Sequence, residues 1–141
     1  MRDHIQIGDY FPNLPLSDQV SLYDLLKNYL IIAMISTDCA VCLPAFDEIE
    51  RFATERPDHP LIVLIDTCEQ KYHKASQAFS DNVRLYRIDG NTVEREVKGF
   101  GFPWAYGINS EGQLISHYFC GNPGNLDTVA APFRLFHTNV G

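Results

Sequence analysis

Tyr29 to Ile35 (Y-L-I-I-A-M-I) is apolar at every position, and Leu61 to Ile65 (L-I-V-L-I) repeats the pattern. A strand with one wet face alternates polar and apolar residues, whereas a strand buried on both faces reads as a continuous run. Two such runs call for the interior of a sheet with other elements over both sides. Helical spacing supplies that cover. From Ala40 to Thr54, Val41, Ala45, Ile49 and Phe52 recur at three- and four-residue steps, with Pro44 in the first turn, where its missing N–H does little harm. Glu69 to Phe79 reads as another helix, Val83 to Ile88 as a strand with one wet face, and Asn91 to Lys98 as a weaker helix. Ser21, with Asp24 three residues on, caps a short helical turn. Trp104 to Ile108 and Gln113 to Phe119 flank the hairpin spacer Asn109-Ser110-Glu111-Gly112, and Leu126 to Phe136 closes as a helix capped by Asn125. Ile7 to Leu16, broken by two prolines, is irregular or an edge strand. The alternation predicts an α/β fold: a central mixed sheet, mostly parallel with an antiparallel edge, flanked by helices on both faces.

The chain has 141 residues, 12% aromatic and 21% charged, which fits one domain over 1–141 and excludes a disordered chain. Residues 1–16 are expected as an extension or edge strand and 137–141 as a loose tail. A formal net charge of −7 makes a nucleic-acid partner unfavourable. The longest apolar run, Leu30 to Ile35, is far short of the ~20 residues a membrane helix needs, so no membrane segment is expected. Nor does the start, M-R-D-H-I-Q-I-G, carry a signal-peptide core. The expected location is cytoplasmic if Met1 is the native start and extracytoplasmic if the chain was trimmed. A monomer is expected.

Cysteines stand at 39, 42, 68 and 120. Cys39-Ala40-Val41-Cys42 lies between a buried strand and the helix after it. Residues three apart on a helix are neighbours, so these thiols can close a disulfide after small local adjustment. At the helix start, unpaired N–H groups and the macrodipole favour a thiolate on Cys39, while Cys42, a turn further in, is shielded. Cys39 is thus the expected attacker and Cys42 the resolver. The same residues could instead be small core hydrophobes or half a zinc site. Zinc needs about two further ligands. Cys68, Cys120 and the histidines at 4, 59, 73, 117 and 137 are scattered without ligand spacing, so no metal and no bound cofactor is expected. Cys68 and Cys120 are core or rim thiols, or one is a third redox thiol.

The segments M-I-S-T-D-C-A-V-C and F-G-F-P-W-A-Y-G-I-N-S-E-G-Q, in this order of elements, resemble the thioredoxin superfamily. I-G-D-Y-F-P-N-L, followed by S-L-Y-D-L-L, is most similar to its TlpA/ResA-like thiol–disulfide oxidoreductases. The resemblance implies that Pro103 is cis and packs opposite the dithiol, and that the backbone of Phe102 pairs with an extended substrate segment. Its strand order also sets Cys68 and Cys120 three strands apart, ~14 Å, too far for a disulfide. Trp104, beside Pro103, either fills the core or, with Phe100, Phe102 and Tyr106, lines an apolar client groove.

The chain departs from the family in places. Asp38 stands where Trp is usual; it either tunes Cys39, capping the helix and shuttling a proton, or is a simple cap or solvated acid. Ala33 replaces the buried strand acid, and Ala45 the helix acid, with Asp47 and Glu48 nearby but out of register. Ala40-Val41 has neither the His of oxidising relatives nor the Gly-Pro of reducing ones, with a slight lean toward a reductase. The implied function is thiol–disulfide exchange with protein client disulfides or dithiols and a redox partner protein. Alternatives are a thioredoxin-fold binding module without turnover and, because Ser36 sits three residues before Cys39, a peroxiredoxin-like peroxidase.

Overall fold

The computed structural model describes residues 4–136, and the tail expected at 137–141 lies outside them. In chain order the elements are β1 (Tyr29–Ser36), α1 (Leu43–Glu55), β2 (Leu61–Asp66), α2 (Glu69–Ala78), β3 (Arg84–Ile88), α3 (Gly90–Thr92), β4 (Trp104–Asn109), β5 (Leu114–Phe119) and α4 (Asn125–Ala130). Among the described residues the strands form one mixed sheet in the order β3-β2-β1-β4-β5. β1 and β2 run parallel, with Ser36 beside Asp66, as do β2 and β3. β4 is antiparallel to both β1 and β5. The two continuous apolar runs are the central strands β1 and β2, as their pattern requires.

Every residue of β1 is buried, and alternate side chains feed two clusters. Ile31, Ala33 and Ile35 meet Ala45, Ile49 and Phe52 of α1 on one face. Leu30, Ile32 and Met34 meet a second cluster on the other. Each such fully buried aliphatic side chain is worth roughly 1.5–3 kcal/mol relative to exposure.

The second face is covered differently from the expectation. Besides Val93 and Val97, which follow the short α3, its cover is the N-terminal segment, whose Phe11, Leu14, Leu16 and Leu22 are buried there. Gly8 N–H donates to Leu114 O, Phe11 N–H to Gly112 O and Leu114 N–H to Asp9 O, all at 2.8 Å, so 8–11 lies along the start of β5. Asn91 to Lys98 is not one α-helix. After α3, Val93–Val97 is a π-helical turn, closed by Lys98 N–H on Val93 O at 3.2 Å, and it buries both valines.

Two helix starts also differ. The expected Ala40–Thr54 helix opens as a 3-10 turn, Ala40–Cys42, and becomes α-helical at Leu43. The α-type bond at that point would need an N–H on residue 44, which is proline, so the chain closes i→i+3 bonds instead. At the C-terminus, Gly124 (φ 88°) rather than Asn125 is the N-cap of α4, which yields to a 3-10 turn at Ala131–Phe136. Ser21 behaves as expected: Asp24 Oδ2 accepts its backbone N–H at 2.9 Å and its hydroxyl at 3.1 Å.

Candidate active site

Parallel pairing brings the ends of β1 and β2 together, and the turns after them are tied: Thr37 Oγ1 donates to Thr67 Oγ1 at 2.8 Å and Thr37 N–H to Asp66 O at 3.2 Å. From this corner Cys39, with an extended backbone, is the N-cap of the 3-10 turn, and Cys42 N–H closes the turn on Cys39 O at 3.1 Å. Side chains at i and i+3 eclipse in a 3-10 turn, so the Pro44-enforced geometry favours a meeting of the thiols more than an α-helix would. The two cysteines lie close together.

Their environments differ sharply. Cys42 is 0% exposed and sits in the α1-side cluster. Burial pushes its thiol up to about 12, the neighbouring Cys39 adds to the rise, and the Ser36 backbone opposes it. Cys39 is partly exposed and donates from its thiol to Phe102 O at 3.7 Å. The residues beside Cys42 in sequence, Val41 and Leu43, are 59% and 70% exposed, an apolar rim around a buried sulfur.

The Phe102–Pro103 peptide bond is cis. Pro103 is buried. It lies one step beyond the Met34–Trp104 and Trp104–Phe119 pairs, in the row between Ile35 and Cys120. Phe102 is half-buried and packs against both clusters. The other predicted aromatics are displaced from the thiols. Trp104 packs on the sheet face opposite α1, its indole N–H donating to His117 Nδ1 at 3.1 Å. Tyr106 is 0% exposed, so it lines no groove; alternation puts it on the same face as Trp104. Asp38 does not cap the helix, because Cys39 takes that position. Its carboxylate, 81% exposed, reaches outward to Lys71 Nζ at 3.5 Å.

Cys68 and Cys120 part company. Cys68 is exposed at the N-cap of α2. Its thiol is lowered first by the hydrogen bond from the Lys71 backbone, helped by those of Gln70 and by the Lys71 charge. Cys120 is buried at the end of β5, pushed up to about 12 by burial and then by the neighbouring Cys42 and Glu48 charges. All four cysteines are free thiols.

Sequence spacing missed the role of Glu48. It is 2% exposed and fully engaged: Arg51 donates to both its oxygens at 2.8 and 2.9 Å, and Gly124 and Leu126 N–H groups at 3.1 and 2.9 Å. It caps α4 from α1, so its carboxylate is occupied structurally rather than poised beside Cys42. The long sequence separation of these partners hid it. Among the described residues no group of His, Cys, Asp or Glu could hold a metal ion. No helix among them is long and apolar enough to cross a membrane.

No protein-family model matches the chain, and no curated protein matches it. Solved structures do. A thiol:disulfide interchange protein from Bacteroides sp. is 16% identical with a TM-score of 0.67, covering 96% of this chain and 97% of its own. The thioredoxin domain of a thiol-disulfide oxidoreductase from Bacteroides vulgatus is 16% identical with a TM-score of 0.67, covering 94% and 98%. An exposed lipoprotein thioredoxin from Streptococcus pneumoniae is 14% identical with a TM-score of 0.61, covering 87% and 99%. The chain therefore has the thioredoxin-like fold, similar in build to these thiol:disulfide interchange proteins.

Proposed function

We propose that the protein is a thiol–disulfide oxidoreductase acting on protein clients through Cys39 and Cys42. The observation that carries this reading is the asymmetry of the pair: one thiol partly exposed and set against the Phe102 carbonyl, the other one 3-10 turn away and sealed. In the cycle, Cys39 as thiolate attacks one sulfur of a client disulfide, and the other client sulfur leaves with the electron pair and takes a proton. Cys42 then gives up its proton and attacks Cys39 Sγ, releasing the second client thiol. The protein is left with a Cys39–Cys42 disulfide, two electrons poorer, which a dithiol redox partner reduces by the reverse steps. Phe102 O, placed to accept a client backbone N–H, would register an extended client segment beside Pro103, with Val41 and Leu43 offering apolar contact. Trp104 contributes from behind, by supporting that loop.

Reduction of insulin by dithiothreitol tests this directly. The protein is expected to accelerate it well above background, Cys39→Ser to abolish the acceleration, and Cys42→Ser to accumulate a mixed disulfide between Cys39 and an insulin chain. A rate equal to background would reduce the molecule to a binding module.

A further inference from the structure

The loop that presents Phe102 and Pro103 is gripped on the side away from the thiols. The Phe100 ring lies between two imidazoles, its centroid 4.6 Å from His4 at 15° and 4.4 Å from His117 at 13°. Trp104 stacks beside it at 5.1 Å. Phe100 N–H donates to the Tyr106 hydroxyl at 2.9 Å, and the Gly99 carbonyl meets His4 Nδ1 at 3.1 Å. His117 touches both halves of this grip: it stacks on Phe100 and receives the Trp104 indole N–H on Nδ1 at 3.1 Å.

An indole N–H can only donate, so His117 Nδ1 must carry a lone pair, and the ring is neutral with its proton on Nε2. A second proton would set two donors against each other. Two residues from the stacked Phe100 ring, Phe102 O accepts from the Cys39 thiol.

We propose that His117 is a positioning residue for the dithiol site: as a neutral ring it anchors Trp104 and Phe100, and so keeps the Gly99–Pro103 loop with the Phe102 carbonyl against Cys39; protonation releases that loop. This rests on the reading of Cys39 and Cys42 as an exchange centre. The titratable groups in ring contact are Tyr106 on β4, at 6.4 Å, and, behind Phe100, His4 of the N-terminal segment. Tyr106 is pushed up to about 12 by burial and stays neutral throughout. Burial pulls His117 below the ordinary histidine value of 6.5, so the loop is held at neutral pH and released in mild acid.

NMR of the whole chain reads the coupling without any activity. The Trp104 indole N–H and the backbone amides of Phe102 and Cys39 should titrate together with one midpoint below about 6.5. His117→Asn, which keeps an acceptor but has no charge to gain, should abolish that midpoint. His117→Phe, which keeps the ring and loses the acceptor, should raise KM for insulin about fivefold at neutral pH, the worth of one ordinary hydrogen bond. The proposal fails if the indole signal titrates while Phe102 and Cys39 stay still, if the midpoint survives in His117→Asn, or if His117→Phe leaves KM unchanged. Should the wild type fail to reduce insulin at all, the exchange reading falls, and the amide titration alone decides whether His117 sets the loop.

Discussion

Cys42 and Cys120 share one apolar cluster, neither exposed to solvent, and each thiol is pushed up to about 12 by burial. Both folded values lie above that of a free thiol. The fold is thus favoured by these groups wherever they are protonated, and that contribution fades as pH rises toward 12. At pH 7 a thiol of this kind is ionised to only about one part in 10⁵. Cys68, exposed and lowered by the α2 backbone, is the opposite case. Time-resolved alkylation of the reduced protein by iodoacetamide at pH 7, mapped by peptide mass, should therefore label Cys68 early and Cys42 and Cys120 at least about a hundredfold more slowly. The two slow rates should climb about tenfold per pH unit, with the thiolate fraction. Comparable rates at Cys42 and Cys68 would contradict the burial. The Cys39–Cys42 pairing and the shielding of Cys42, one turn further in, were readable from the chain, because spacing carries them. The opposite settings of Cys68 and Cys120 depend on which strand end each one follows.

At the level of elements, β1, β2 and α1 could be read from the sequence because burial imposes an unbroken apolar run on the two strands and a period on the helix. The cover of the second face could not: Phe11, Leu14 and Leu16 have no regular spacing, and their segment is fixed by backbone bonds to β5 that no local pattern announces. Nor did hydrophobic spacing reveal the 3-10 start of the dithiol turn, although Pro44 carried the reason. β4 holds a further constraint in Gly107. A Cβ there would stand 2.6 Å from both Phe133 Cε2 and Ser116 Oγ, and Ser116 is itself engaged with Val129 O at 2.6 Å. Gly107→Ala should cost about 1–3 kcal/mol by overpacking, read as a lower urea midpoint at unchanged slope. A midpoint equal to wild type would show that the C-terminal turn shifts freely.

Over the whole molecule, α1 and α4 are clasped by one charged cluster. Arg51 bridges Glu48 and Asp127, and Arg56 reaches Asp127 at 3.3 Å. Hydrogen bonding to Glu48 raises the Arg51 guanidinium further above its already high range, so the charge persists at every working pH. Glu48→Ala would leave Arg51 with Asp127 and Glu55 but take away its buried partner, and would leave the Gly124 and Leu126 N–H groups without an acceptor; it should cost about 3–5 kcal/mol in urea unfolding. A loss below about 1 kcal/mol would mean that water replaces the carboxylate. The clasp matters to the site because α1 carries Cys42 at its head.

Cys42 has no surface of its own, so of the pair a reagent arriving from solution meets Cys39 alone. In the proposed cycle the second transfer can begin only once a partner is covalently tethered at Cys39. The two sulfurs then act in a fixed order, the outer one first and the inner one second, whatever the direction in which electrons flow.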